Sequence, residues 1–214
     1  MQGSMIRKSK KDALIDAAIQ SYAENGEQGL TTKNLARVAG CSEALIYRHF
    51  KSKDDLLREC YFRLHTRANE SLGSFSLPET DDITELVEAC RQYYIRVFRF
   101  FVSAGYESLF YFWFRMSDSF TEYLSENPKQ FSAIYLTSFM DVVEKLRVKF
   151  DLRIPADYYK TYLVFVMGIF VEQVVKGKMP DSDETYDVIA DLVFGGLIKT
   201  LPEEIQGRAL VGNR

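Results

Sequence analysis

"TTKNLARVAGCSEALIYRHFKSKDDLL", residues 31–57, decides how this chain is read. Counted from Thr32, the small residue Ala36 falls at the fifth position, Gly40 at the ninth and Ile46 at the fifteenth. That spacing matches two short helices joined at a sharp corner. Helices crossing steeply need a small side chain where they touch. The turn between them needs a residue that accepts positive φ, and an aliphatic residue on the second helix plugs the corner. Leu35, Val38 and Ala39 complete the buried face. Thr31 or Thr32 caps the first of these helices and Gly40 stops it; Ser42 caps the second, which runs to about His49. Ser52 opens a further helix over 53–70, with Asp55 three residues on as a capping-box partner.

With Ile46 and Phe50 turned inward at i and i+4, Glu43, Ala44, Tyr47 and Arg48 are left on the other faces of the second helix. Glu43 and Tyr47 are themselves four apart and share a stripe. A face of that kind suits the major groove of double-stranded DNA. Arg48 has the donor fork for guanine or for a phosphate, and Tyr47 and His49 can donate to phosphate. Lys51 and Lys53 stand where a phosphate meets a helix start, as do Thr31, Thr32 and Lys33 two helices earlier. Ser42, Ala44 and Leu45 complete the candidate DNA-binding set. A solvated, charged helix face carries the same residue types, and the residues alone leave that alternative open.

The charge distribution leans the same way. Residues 1–67 hold twelve Lys and Arg against eight acids, a net charge of +4, while the whole chain carries −3. A basic N-terminal piece on an acidic remainder points to an anionic partner at one end only. Hydrophobic residues make up 47% of the chain and charged ones 27%, as in a soluble globular protein with a sizeable core. The three cysteines, Cys41, Cys60 and Cys90, form no C-x-x-C and suit reduced thiols in the cytoplasm. "MQGSMIRKSKK" lacks the apolar core of a signal peptide, and the most apolar run, 161–171, is too short to span a membrane.

The rest of the chain also follows a helical period, and no strand alternation interrupts it. A first helix carries Leu14, Ala17, Ala18 and Tyr22 and closes at Asn25-Gly26. "SLGSFSLPETDD", 71–82, breaks the pattern. Beyond it the spacing predicts a helix from Ile83 to about Gly105, an aromatic helix to about Glu126 ahead of Asn127-Pro128, and a helix over roughly 129–150. One opened by Pro155 follows, to about Lys176, and a last one is capped by Ser182 and runs to about Thr200. The expected architecture is all-α. A head and connecting helix over 8–70 precede a five-helix domain over 71–206, with a frayed tail at 207–214.

The segment 31–57 resembles the DNA-binding signature of the TetR family of bacterial transcriptional regulators. The resemblance rests on Thr32, Leu35-Ala36, Ala39-Gly40-Cys41-Ser42, Ile46-Tyr47-Arg48-His49-Phe50, and Lys53 with Leu56. It covers about residues 10–60; the remainder agrees in length, helix count and lack of strands. Cys41 replaces a common Val, Ala44 a frequent Gly, and Leu45 a small residue. The resemblance implies a homodimer on a palindromic operator, a small-molecule effector bound among the C-terminal helices, and repression as the usual mode, with activation as the alternative.

The residues lend those implications partial support. Residues 91–116 hold more rings than a helical core requires. Tyr94, Phe98, Phe101, Tyr106, Phe110, Trp113 and Phe114 are the candidates for lining an apolar effector site; large rings that simply fill a core look the same in sequence. The helix from 156 is apolar nearly all round between Thr161 and Val171, which predicts burial on more than one side. Phe165, Gly168, Ile169 and Glu172 there, with Leu192, Gly195 and Gly196 on the last helix, are the candidate dimer contacts. An entirely intramolecular core is the alternative.

Other classes find little in the chain. It has two histidines, His49 and His65, and none of the G-x-S-x-G, H-E-x-x-H, P-loop or dinucleotide motifs. No catalytic residue, metal site or cofactor is therefore expected. A helical adaptor whose head docks another protein is the remaining rival.

Overall fold

The structure, a computed structural model, describes residues 9–126, 133–150 and 155–199. The regular structure of the described residues is helical throughout. The elements are α1 (Lys10–Asn25), a 3-10 turn (Gly26–Gly29), α2 (Thr32–Val38), α3 (Glu43–His49) and α4 (Lys53–Leu72). Then come α5 (Ile83–Ser103), α6 (Tyr106–Arg115), α7 (Asp118–Glu126), α8 (Ile134–Lys149), α9 (Ala156–Val175) and α10 (Asp183–Ile198). The expected tail at 207–214, the Asn127-Pro128 stop and the basic residues Arg7 and Lys8 lie outside the described residues.

One compact unit comprises Met1–Thr66 with Tyr106–Gln130. Its core is built from Leu14, Ala18, Leu30, Leu35, Ile46, Leu56, Tyr61 and Leu64, joined by Phe110 and Phe114 of α6. Tyr22 of α1 packs on Phe110 and Trp113, with centroids 5.7 and 4.7 Å apart. Arg63 on α4 bridges Asp16 of α1 at 2.7 Å and Glu107 of α6 at 2.5 Å. A buried polar node sits among these rings. The Tyr61 and Tyr111 hydroxyls each lie 3.3 Å from His65 Nδ1, and Arg115 donates to both oxygens at 3.2 and 3.4 Å.

Periodicity predicts one helix from Tyr106 to Glu126; the chain forms two, parted at Met116 and Ser117. Ser117 is the cause. Its hydroxyl donates to the Phe114 carbonyl at 2.7 Å and accepts the Phe120 N–H at 3.2 Å, closing α6 and capping α7.

The second unit comprises Arg67–Gly105 with Phe131–Arg214. Here α5 is the hub, packed on α9 and α10 with Leu86, Cys90, Tyr94, Val97, Phe98 and Phe101 buried; Tyr94 meets Phe194 and Phe98 meets Tyr186 of α10. Phe75, Tyr93 and Phe139 stack at one side, and the Tyr93 hydroxyl donates to the Tyr135 carbonyl at 3.0 Å. The outer edge of α5 is pinned to α10 by charge: Arg91 meets Asp187 and Asp191, each at 2.9 Å, and Arg99 meets Asp183 at 2.7 Å. The last turns of α4 are held in this unit as well. Arg96 donates to the Leu72 carbonyl, and Asn69 accepts the Ile134 N–H at 2.8 Å.

Candidate nucleic-acid interface

The corner between α2 and α3 is a Schellman turn. Gly40, at φ +62°, donates to the Arg37 carbonyl at 3.2 Å, and Cys41 donates to that of Ala36 at 2.9 Å. These two bonds satisfy the last carbonyls of α2 and swing the chain into α3. Thr31 is the cap of α2, its hydroxyl accepting the Asn34 N–H at 3.2 Å. Asn34 in turn donates to the Gly29 carbonyl at 2.8 Å and to the buried Ser21 hydroxyl at 3.3 Å, tying α2 to the end of α1.

Ile46 and Phe50 are buried, as their spacing predicts, so the rest of α3 turns outward. Ser42, Glu43, Ala44, Tyr47, Arg48 and His49 are exposed and Leu45 is half-buried; Tyr47 keeps 56% of its surface, unusual for an aromatic residue on so short a helix. Ser42 caps α3 by position, yet its side chain makes no capping hydrogen bond. Thr31 and Lys33 are exposed at the start of α2, and Lys51 and Lys53 at the start of α4. Ser52 caps α4 through the Asp55 N–H at 3.1 Å, and Asp55 accepts the Lys51 N–H at 2.9 Å. Among the described residues no carboxylate pairs with Lys33, Arg48, Lys51 or Lys53. Among the described residues, Lys33, Arg48, Lys51 and Lys53 thus stand without a carboxylate partner beside a strip of hydroxyl and phenol groups around one outward-facing helix. That arrangement matches an anionic polymer with a groove.

The candidate effector rings fall into two sets. Tyr94, Phe98 and Phe101 are buried in the unit built on α5; Tyr106, Phe110, Trp113 and Phe114 belong to the unit that carries the head. Tyr106 is exposed, while Phe110 and Phe114 are wholly buried. Trp113 and Phe114 line a cleft of about 380 Å³ together with Leu30, Lys53, Leu57 and Met116. Burial pushes the Tyr94 phenol well above the usual tyrosine range. Among the described residues no cluster of three or more metal-ligating side chains occurs, and no helix is long and apolar enough to cross a membrane.

The sequence predicts burial of α9 on more than one side. Within the single chain, Tyr159, Leu163, Met167, Val171 and Val174 are buried, and the opposite face is open. Phe165 is 53% exposed, Ile169 45% and Leu192 of α10 60%. Gly168 and Gly195 are half-buried, and a Cβ built on Gly195 would meet nothing. Glu172 pairs with Lys176 at 2.5 Å; Gly196 follows Gly195 in α10. The open face also includes Tyr158, Tyr162 and Val188, which the sequence reading missed. Their signal was available: 158, 162, 165 and 169 follow an i, i+4, i+7, i+11 course along one face.

Residues 14–60 match the model of the family described as "Bacterial regulatory proteins, tetR family". The "Fatty acid metabolism regulator protein" of Bacillus subtilis is 31% identical over 83 residues, a match covering 39% of this chain and 39% of that protein. So the chain spans well under two thirds of that relative's length. Among solved structures, a TetR family transcription regulator from Marinobacter aquaeolei is similar over 87% of this chain and 94% of its own, with a TM-score of 0.63 and 19% identity. The fatty acid degradation regulator FadR from Bacillus halodurans is similar over 89% and 97%, with a TM-score of 0.56 and 20% identity. At such identities the solved structures speak for the fold, and the matched segment 14–60 contains the corner at Gly40 and all of α3. Residues 14–60 thus match the segment described for the tetR family of bacterial regulatory proteins, and the chain has the fold of solved TetR family regulators.

Proposed function

We propose that the chain is a DNA-binding transcriptional regulator that acts as a homodimer on a palindromic operator, as a repressor that a small, largely apolar effector releases. The observation that carries the dimer is the uncovered apolar face of α9 and α10, with Phe165, Ile169 and Leu192 about half open to water. Exposed apolar side chains of that kind mark an interaction site, and a two-fold pairing buries them against their own copies. The DNA contacts come from Tyr47, Arg48 and His49 on α3, flanked by Thr31, Thr32, Lys33, Ser42, Lys51 and Lys53. Two such helices reach successive major grooves about 34–36 Å apart.

Two similar proteins carry fatty acid regulation in their names, which favours an effector with an acyl chain. The aromatic residues of α5 suit such a chain, as, within the other unit, do those of α6. The connecting lever is α4, which starts beside Lys53 and ends at Leu72, where Arg96 holds it. Only an effector with different affinities for the two conformations shifts DNA binding; a hundredfold loss of operator affinity requires about 2.7 kcal/mol of coupling. The test has two stages. Bound sequences are selected from random duplexes, and fatty acids and their thioesters are then titrated into the complex. Recovery of a palindrome that an acyl effector releases supports the proposal; a non-palindromic site bound by one subunit contradicts it.

A further inference from the structure

Glu43 is an anomaly on a surface that meets phosphates. It is an exposed carboxylate on α3, one helical turn from Tyr47, and among the described residues no cation pairs with it. Its geometry is nonetheless fixed. The Thr32 hydroxyl on α2 donates to Glu43 Oε2 at 2.7 Å across the corner, leaving Oε1 directed by that bond. A free surface glutamate samples many rotamers; this one is tethered to the neighbouring helix.

We propose that Glu43 is a specificity-determining residue that reads the exocyclic amino group of a cytosine. The inference rests on the reading of α3 as the helix that enters the major groove. A carboxylate there is an acceptor only. Guanine presents two acceptors, N7 and O6, and thymine presents O4; both repel it. Adenine offers its N6 amino donor beside the N7 acceptor, so one carboxylate oxygen is satisfied and the other faces a lone pair. Cytosine offers the N4 donor with a C5–H on its outer side, where adenine has the N7 lone pair, and is the base that accommodates Glu43 best. The tether to Thr32 sharpens the choice by holding the carboxylate in register with one base pair. The same chemistry dictates what Glu43→Gln does. A side-chain amide carries a donor and an acceptor, which match N7 and N6 of adenine.

The test is selection of bound duplexes by the full chain and by four variants, each checked for an unchanged helical melt. The wild type is expected to enrich cytosine at one symmetry-related position of each half-site, by about tenfold over the other bases. Glu43→Gln shifts that position to adenine and Glu43→Ala leaves it degenerate, with the other positions unaltered. Thr32→Val weakens the cytosine preference and Thr32→Ser retains it. Unchanged cytosine enrichment in both Glu43 variants, with DNA binding intact, overturns the inference while leaving the DNA-binding reading in place. An even loss of preference at all positions, alongside a lowered melt, shows Glu43 to be only a tie between helices and also overturns it. If the wild type enriches no sequence, the underlying reading of α3 falls and the inference with it.

Discussion

Gly29 passes so close to Ser21 that a Cβ on residue 29 would stand 2.3 Å from the Ser21 carbonyl oxygen. The obstacle is backbone, so it cannot rotate aside. This contact seats the 3-10 turn against α1 and positions the Gly29 carbonyl for Asn34. Gly29→Ala is therefore expected to cost about 1–3 kcal/mol, as overpacking of a core does. Chemical denaturation measures it, and a loss below about 0.5 kcal/mol would mean that the turn relaxes freely.

On α3, stability and binding separate by face. Ile46 is wholly buried and Tyr47 is not. Ile46→Ala is expected to destabilise by about 2–5 kcal/mol, through lost burial and the cavity left behind. Tyr47→Ala is expected to stay within about 0.5 kcal/mol of wild type, as surface changes usually do. Equal losses in the two variants would place Tyr47 in the core.

Phe165→Glu and Leu192→Glu each set a charge on the open face of α9 and α10. Both are expected to yield folded monomers by light scattering, with helicity kept, and to lose operator binding at protein concentrations where the wild type binds. A stable dimer in both variants would move the interface elsewhere.

The cysteines differ in environment. Burial pushes the Cys90 thiol up to about 12, and burial raises Cys60 as well, against the lowering pull of Arg63. A raised thiol is protonated throughout the neutral range, and only the thiolate reacts. Near pH 8 the native chain is expected to react with a thiol reagent quickly at one site, half-buried Cys41, and at all three sites once unfolded. Fast labelling of two or more native thiols would contradict the burial of Cys60 and Cys90.

Much of the head was legible in the sequence because its determinants are local. The Ala36, Gly40 and Ile46 spacing predicts the corner, and Gly40 takes the positive φ that the turn demands. Ser52 and Asp55 cap α4 as their three-residue spacing suggests. What stayed hidden depends on distant partners. The aromatic run 91–116 reads as one chemical stretch, yet Gly105 divides it, and the rings beyond it pack with Tyr22 of α1. Hydrophobic period cannot reveal that, because a ring facing any core shows the same spacing. The break at Ser117 had a local signal, a serine followed by an acid, but the strength of the aromatic pattern overrode it. The Thr32–Glu43 bond joins residues eleven apart on different helices, and no sequence rule anticipates it.

In the proposed function α3 offers Tyr47 and Arg48 to DNA from a corner set by Gly40. The most direct measurement is the affinity of wild type, Tyr47→Ala and Arg48→Ala for a selected duplex, over a range of salt. Each variant is expected to bind about tenfold more weakly at an unchanged melting temperature, and the salt slope of Arg48→Ala to fall by about one if Arg48 neutralises a phosphate. Wild-type affinity in both variants would contradict it.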